Sequence, residues 1–288
     1  MNTRQNDGFW KMKTLSHSQP GEAGSPLPLL SRRRLLWGIG CLSAGVLLLP
    51  GCKQISSLAQ AEGQTYVVEL KDFFFDPIGL TLKRADTVIW IEAREQVKTP
   101  HTATAYHPNF DKVLRIPEGA PAWDSGFFEE PDQTFTHTFQ TRGIHDYFCI
   151  PHEDSGMVGR ILVETPTGPG AQPLSVGISA AGQSVMPFVD ELQGAPGEVF
   201  NVQGRLNAVM LPWRLQDRTE ALARWKTLLA EIETLLPQFL AQLGEADRQA
   251  VAANITTLNN TLNTETSLFP ALAAVDDLKL FLEQLAYA

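Results

Sequence analysis

Cys149, His152 and Met157 stand close together in Tyr147-Phe148-Cys149-Ile150-Pro151-His152-Glu153-Asp154-Ser155-Gly156-Met157. Thiolate and thioether are soft donors and imidazole is borderline, a set that selects copper over magnesium, calcium or manganese. Zinc accepts Cys and His but has little use for a thioether. A second imidazole must arrive from elsewhere in the chain. His101, in Thr99-Pro100-His101-Thr102, is the natural donor. Two imidazoles, one thiolate and a weak axial Met form a donor set suited to one-electron chemistry.

Each residue alone has a plainer explanation. A lone buried Cys is usually a small inert hydrophobe, a lone His a satisfied surface or core residue, and a lone Met core filler. Their joint occurrence is what points to a metal. Other imidazoles compete for the upstream position. His107, in Tyr106-His107-Pro108-Asn109, is the main rival; His137 and His145 fall in predicted strands, and His17 lies near the start.

The elements that must position these donors are short strands. Residues 65–70, 79–83, 86–92, 102–106, 133–139, 145–149 and 158–164 carry strand patterns separated by turn signals. Thr87, Ile89 and Ile91 share one face of their strand; Val88, Trp90 and Glu92 share the other. So many short strands in about 100 residues predict a Greek-key β-sandwich. Cys149 then ends a strand held by the sheet, while His152 and Met157 ride on the following loop, which Gly156 and Gly159 let fold back tightly. Trp90, Phe135 and Phe148 read as packing residues. The stretch 109–130, with Pro117, Pro121 and Gly126, reads as a long loop covering one side of the sandwich.

Four blocks carry a family resemblance: Asp86-Thr87-Val88-Ile89-Trp90, Pro100-His101, Gly143-Ile144-His145-Asp146-Tyr147-Phe148-Cys149, and Pro151-His152 through Gly156-Met157-Val158-Gly159. In this order and spacing they resemble a plastocyanin-type cupredoxin, most like the halocyanin branch, over residues 65–164. The resemblance implies one type I (blue) copper ion held by His101, Cys149, His152 and Met157. It favours His101 over His107, because a Pro-His pair belongs to the pattern. One departure stands out: plastocyanins usually follow the first His with Asn, whose side chain ties the two ligand loops together, and here Thr102 takes that place.

Charge narrows the partners. The chain of 288 residues carries 23 Lys and Arg against 32 Asp and Glu. Residues 1–51 hold six of the basic and two of the acidic ones, so the remainder carries 17 against 30, a balance of -13. A nucleic-acid partner demands the opposite sign. An acidic surface fits a basic redox partner such as a cytochrome or a membrane oxidoreductase; equally it serves solubility. No catalytic constellation, phosphate-binding loop or small-molecule site is evident, so the chain reads as a carrier rather than an enzyme.

The start of the chain reads as an export signal over residues 1–52. Ser31-Arg32-Arg33-Arg34-Leu35-Leu36 opens an apolar run to Pro50, too short for a bilayer span. The paired arginines resemble a twin-arginine signal. Leu49-Pro50-Gly51-Cys52 resembles a lipoprotein box with Cys52 as the acylated residue, against the plainer alternatives of an uncleaved anchor helix or simple cleavage nearby. Either way the body is expected outside the cytoplasm, periplasmic or on the cell surface and near a membrane. Residues 53–64 follow as a tether.

Beyond the sandwich, residues 165–184 are rich in Pro, Gly and Ala and read as a linker. Residues 185–288 are expected to form a smaller all-α bundle. Residues 184–215 show no firm period. Leu222, Trp225, Leu229, Ile232, Leu236, Phe239 and Leu243 form a stripe that Pro237 should kink or split. Val251, Ile255, Leu258 and Leu262 mark a second helix. Leu268, Leu272, Val275, Leu278, Leu282 and Leu285 mark a third. Three readings of the whole remain: an exported type I copper electron carrier, a periplasmic copper-binding or delivery protein, and a β module that merely presents the helices.

Overall fold

The computed structural model describes residues 63–92 and 99–288. The export signal over 1–52, Cys52, His17 and most of the expected tether lie outside the described residues. Among the described residues no helix is long and apolar enough to cross a membrane.

Among the described residues eight strands run through the first part: β1 (Thr65–Leu70), β2 (Phe75–Asp76), β3 (Gly79–Leu82), β4 (Thr87–Glu92), β5 (Thr104–Ala105), β6 (Thr134–Thr138), β7 (Gly143–Phe148) and β8 (Val158–Val163). They form two four-stranded sheets, β2-β1-β4-β6 and β3-β8-β7-β5. β1 lies parallel to β4 and β3 parallel to β8; the other pairs are antiparallel. Side-chain alternation fills the space between the sheets with Leu70, Val88, Trp90, Phe139, Tyr147 and Ile161, while Ile116, Trp123 and Phe128 of the long loop close one side. Close packing here demands a small residue at 159: a Cβ there would sit 2.3 Å from the Tyr147 ring. This is the β-sandwich that the alternation predicts. The two-residue β2 is the addition, too short to leave a periodic trace.

Seven helices follow: α1 (Ala180–Val185), α2 (Val189–Gln193), α3 (Ala195–Arg214), α4 (Arg218–Leu235), α5 (Pro237–Gln242), α6 (Glu245–Thr264) and α7 (Leu268–Ala286). Pro237 splits the long stripe, starting α5 as its first residue. Asp217 caps α4, accepting from the Glu220 N–H at 2.9 Å. α3 is the helix whose period the sequence hides, because it is buried on both sides. Val199, Val202, Leu206, Met210 and Trp213 face the other helices, while Ala208 and Leu211 lie on Val67 and Ile91 of the first sheet. A helix clad in apolar neighbours all round shows no amphipathic stripe.

The stretch 165–184, expected as a linker, is fastened to the second sheet. Arg115 is fully buried and donates to the carbonyls of Gly170 (3.0 Å), Gln172 (3.1 Å), Pro173 (3.2 Å) and Val176 (2.7 Å). It also donates to Asp146 at 2.8 Å, and Arg160 meets the same carboxylate from β8. With Ile178 and Met186 packed on Tyr106, Phe148 and Val158, β7 and β8 are buried on both faces. Arg115→Met strips four carbonyls of a charged donor in a dry site. Stability should fall by about 3 kcal/mol or more in chemical denaturation, with the amides of 169–178 exchanging fastest relative to wild type.

Candidate metal centre

β5 and β7 set the distance between the donors. Their register pairs Thr104 with Phe148 and Ala105 with Tyr147, which brings the segment before β5 alongside the residue after β7. His101 Nδ1 then lies 3.8 Å from Cys149 Sγ. His152 Nδ1 lies 3.4 Å from that sulfur and 3.2 Å from His101 Nδ1. Bonds of about 2.0–2.3 Å from a single ion would leave such donors 3 to 4 Å apart, so these separations fit one metal among three ligands. The donor atoms all fall within 4.8 Å of one another.

Local structure explains the convergence. His152 N–H donates to the Cys149 carbonyl at 3.1 Å, Met157 N–H to the His152 carbonyl at 3.1 Å, and Cys149 N–H to the Met157 carbonyl at 3.0 Å. The turn between them closes on Gly156 at φ +92°, a region Gly enters without strain. Met157 is thus buried at the base of the loop beside Cys149. His101 is anchored by an isolated bridge to Phe128. It is fully buried and its Nε2 has no partner among the described residues, whereas His152 is half-buried.

Thr102 does the work that the departure from the Asn pattern put in question. Its N–H points at Cys149 Sγ at 3.3 Å, and its hydroxyl oxygen accepts from the Ile150 N–H at 2.9 Å. The hydroxyl therefore joins the two ligand loops, with Thr104 supporting it from 2.9 Å. The competing histidines have structural roles. His107 Nδ1 accepts from Asn109 N–H at 3.1 Å and caps a short turn. His137 stacks on Trp123 with centroids 4.8 Å apart, and His145 Nε2 lies 2.8 Å from the Thr141 carbonyl.

The electrostatics favour ligation. Burial, helped by the neighbouring His152, pushes His101 down to about 4, and burial lowers His152 as well. Both rings are therefore neutral at pH 7 and offer lone pairs. Burial pushes the Cys149 thiol up to about 11. A cation must replace its proton for the thiolate to form, so metal uptake releases a proton. The described residues hold one free cysteine, Cys149. A second acidic group, Glu69 with Asp76 and Asp276, also clusters, but the Lys279 ammonium already sits 2.7 Å from Asp76 and 2.9 Å from Asp276.

A two-sheet β scaffold with two imidazoles and a thiol converging at one end defines the cupredoxin class of copper proteins. Residues 62–164 match the family model described as copper binding proteins, plastocyanin/azurin family. The chain is 31% identical over 93 residues to the plastocyanin of Scenedesmus fuscus, covering 31% of this chain and 86% of that protein. It is 31% identical over 93 residues to the chloroplastic plastocyanin of Tetradesmus obliquus, covering 31% of this chain but 58% of that protein's length. A pseudoazurin structure from Sinorhizobium meliltoi aligns over 42% of this chain and 89% of its own, at 22% identity and a TM-score of 0.32. The chain belongs to the copper-binding plastocyanin/azurin family, and its cofactor is copper.

Glu92 is the residue beside the site that residue type gives no reason to expect. It points inward from the end of β4 on the face of Val88 and Trp90, is fully buried, and neither carboxylate oxygen has a partner among the described residues. Burial raises its pKa from 4.5 to about 8. The folded protein therefore keeps a proton that the unfolded chain releases near 4.5. Stability of the metal-free protein should fall as pH rises from about 4.5 to about 8, by up to about 1.4 kcal/mol per pH unit. Glu92→Gln should remove that component, so denaturation midpoints of the two proteins should separate across this window and run parallel outside it.

Proposed function

We propose that this chain is an exported type I copper protein that passes single electrons between redox partners, with His101, Cys149, His152 and Met157 as its ligands. The observation that carries the reading is the buried approach of His101 Nδ1, Cys149 Sγ and His152 Nδ1. Copper bound there supplies a one-electron couple between Cu(II) and Cu(I). The protein supplies constancy of geometry. Cys149 is held by the β7 end and by the Thr102 N–H, His101 by its bridge to Phe128, and His152 by the closed loop. The Met157 thioether, buried beside Cys149, would be the weak fourth donor that tunes the potential. Cys149 carries the strongest electronic coupling, and the half-exposed His152 edge is the exit toward a partner.

That partner is a redox protein such as a cytochrome or a membrane oxidoreductase, drawn to the acidic body by a basic face. A tether through acylated Cys52 keeps the carrier beside the membrane; it rests on Leu49-Pro50-Gly51-Cys52 after an apolar run. Cys52→Ala should shift the protein from the membrane fraction to the soluble one, and continued membrane association of that variant overturns the lipid tether.

The carrier reading predicts one copper per chain, an intense visible thiolate-to-copper band and reversible one-electron reduction, with Cys149→Ser abolishing the band. Copper bound without the band, and readily lost to a chelator, would instead make this a delivery protein.

A further inference from the structure

The β1–β2 hairpin lies between the copper site and the helices. Its tip carries Phe73, whose ring meets His152 edge-on with centroids 5.0 Å apart. Phe73 is 49% exposed, so burial does little to hold it there. The hairpin itself has little sheet to hold it. β2 is an edge strand of two residues, paired only with β1 through Glu69 opposite Asp76 and Leu70 opposite Phe75. Glu69 and Asp76 are like charges directly across a strand pair, an arrangement that drives strands apart.

Lys279 of α7 offsets that repulsion from within the helical part. It is 3% exposed, and its ammonium lies 2.7 Å from Asp76 and 3.8 Å from Glu69. It also donates to Asn207 Oδ1 at 2.9 Å, while Asn207 Nδ2 donates to the Asp76 carbonyl at 2.9 Å. Arg214 of α3 and Lys71 pair with Glu69 from other sides. Burial alone disfavours the Lys279 ammonium, but Asp76, Glu69 and Asp276 outweigh it and keep the group charged. Burial likewise opposes Glu69 ionisation, and Lys279, Arg214 and Lys71 overcome it, holding the carboxyl down to about 2.

We propose that Lys279 is a positioning residue for the copper site: by clamping the base of the β1–β2 hairpin it keeps the Phe73 ring on the outer edge of His152. Through this contact the helices set how much of the exposed ligand meets solvent and partners. The proposal rests on His152 as the exposed ligand, but its test is read on metal-free protein, so failure of the copper assignment and failure of the clamp give different results.

The experiment compares the His152 ring-proton shifts by NMR in wild type, Phe73→Ala, Lys279→Met, and the double variant Asp76→Asn with Lys279→Met. Phe73→Ala gives the shifts of an uncovered ring. Lys279→Met should move the His152 signals most of the way to those values. The double variant removes both charges of the 2.7 Å pair and leaves only the half-exposed Asp276 without its cation; it should move them in the same direction, by a smaller step because the Glu69–Asp76 repulsion goes as well, even if the single variant does not fold. A residue that only staples helices to sheet would lower the melting temperature and leave the signals in place. Wild-type His152 shifts in either folded variant overturn the proposal.

Discussion

The register of β5 on β7 is the constraint on which the site depends. Thr104 opposite Phe148 fixes which residues precede and follow the pair, and so brings His101 to Cys149 across 48 positions of sequence. A slip by one residue would reverse every side chain of the strand and turn Cys149 from the interior toward the covering segment. The register is held from both faces. Tyr147 and Ile161 pack inside, Phe148 and Val158 outside, and the Asp146 carboxylate bridges Arg115 and Arg160. Asp146 of the buried ion group and the thiol of Cys149 thus lie three residues apart, on β7 and just past its end, and point to opposite faces.

Rigidity is distributed unevenly around the donors. His101 and Cys149 are buried and tied to each other through Thr102, whereas His152 is half-buried and stands on a loop closed by backbone bonds. His152 is thereby the candidate donor whose surroundings other parts of the protein can alter. Phe73 touches it from the first sheet, and the loop itself is braced by the Ser179 hydroxyl, which donates to the Glu153 carbonyl at 2.9 Å.

Much of this was legible in sequence, for identifiable reasons. Thr87 to Glu92 alternates, which separated Thr87, Ile89 and Ile91 from Val88, Trp90 and Glu92 but left open which set faces the core, because both faces are covered. Cys149, His152 and Met157 were visible because a loop of fixed length imposes fixed spacing. His101 required the Pro-His resemblance, since the register that brings it near leaves no local mark. What stayed hidden is what tertiary contact creates. The 165–184 stretch reads as a linker because its hold comes from backbone carbonyls meeting a distant arginine, and carbonyls are the same in every residue. α3 lost its period by being covered on both sides. The alternation put Glu92 on the face of Val88 and Trp90, but an acid is the residue type least expected to remain buried.

That double coverage of α3 bears on how the protein can be divided. One side of the helix caps the first sheet at Val67 and Ile91, while its N-terminal Phe200 lies with Leu192 on Ile144 and Leu162 of the second. Family membership stops near residue 164, yet a chain severed there would leave wide oily flanks open to water on both sheets. The part that resembles a free-standing carrier is, in this molecule, the inner half of a larger object. The appended helices are its missing skin, and they could not have been joined late to a finished domain without that domain's surface changing to receive them.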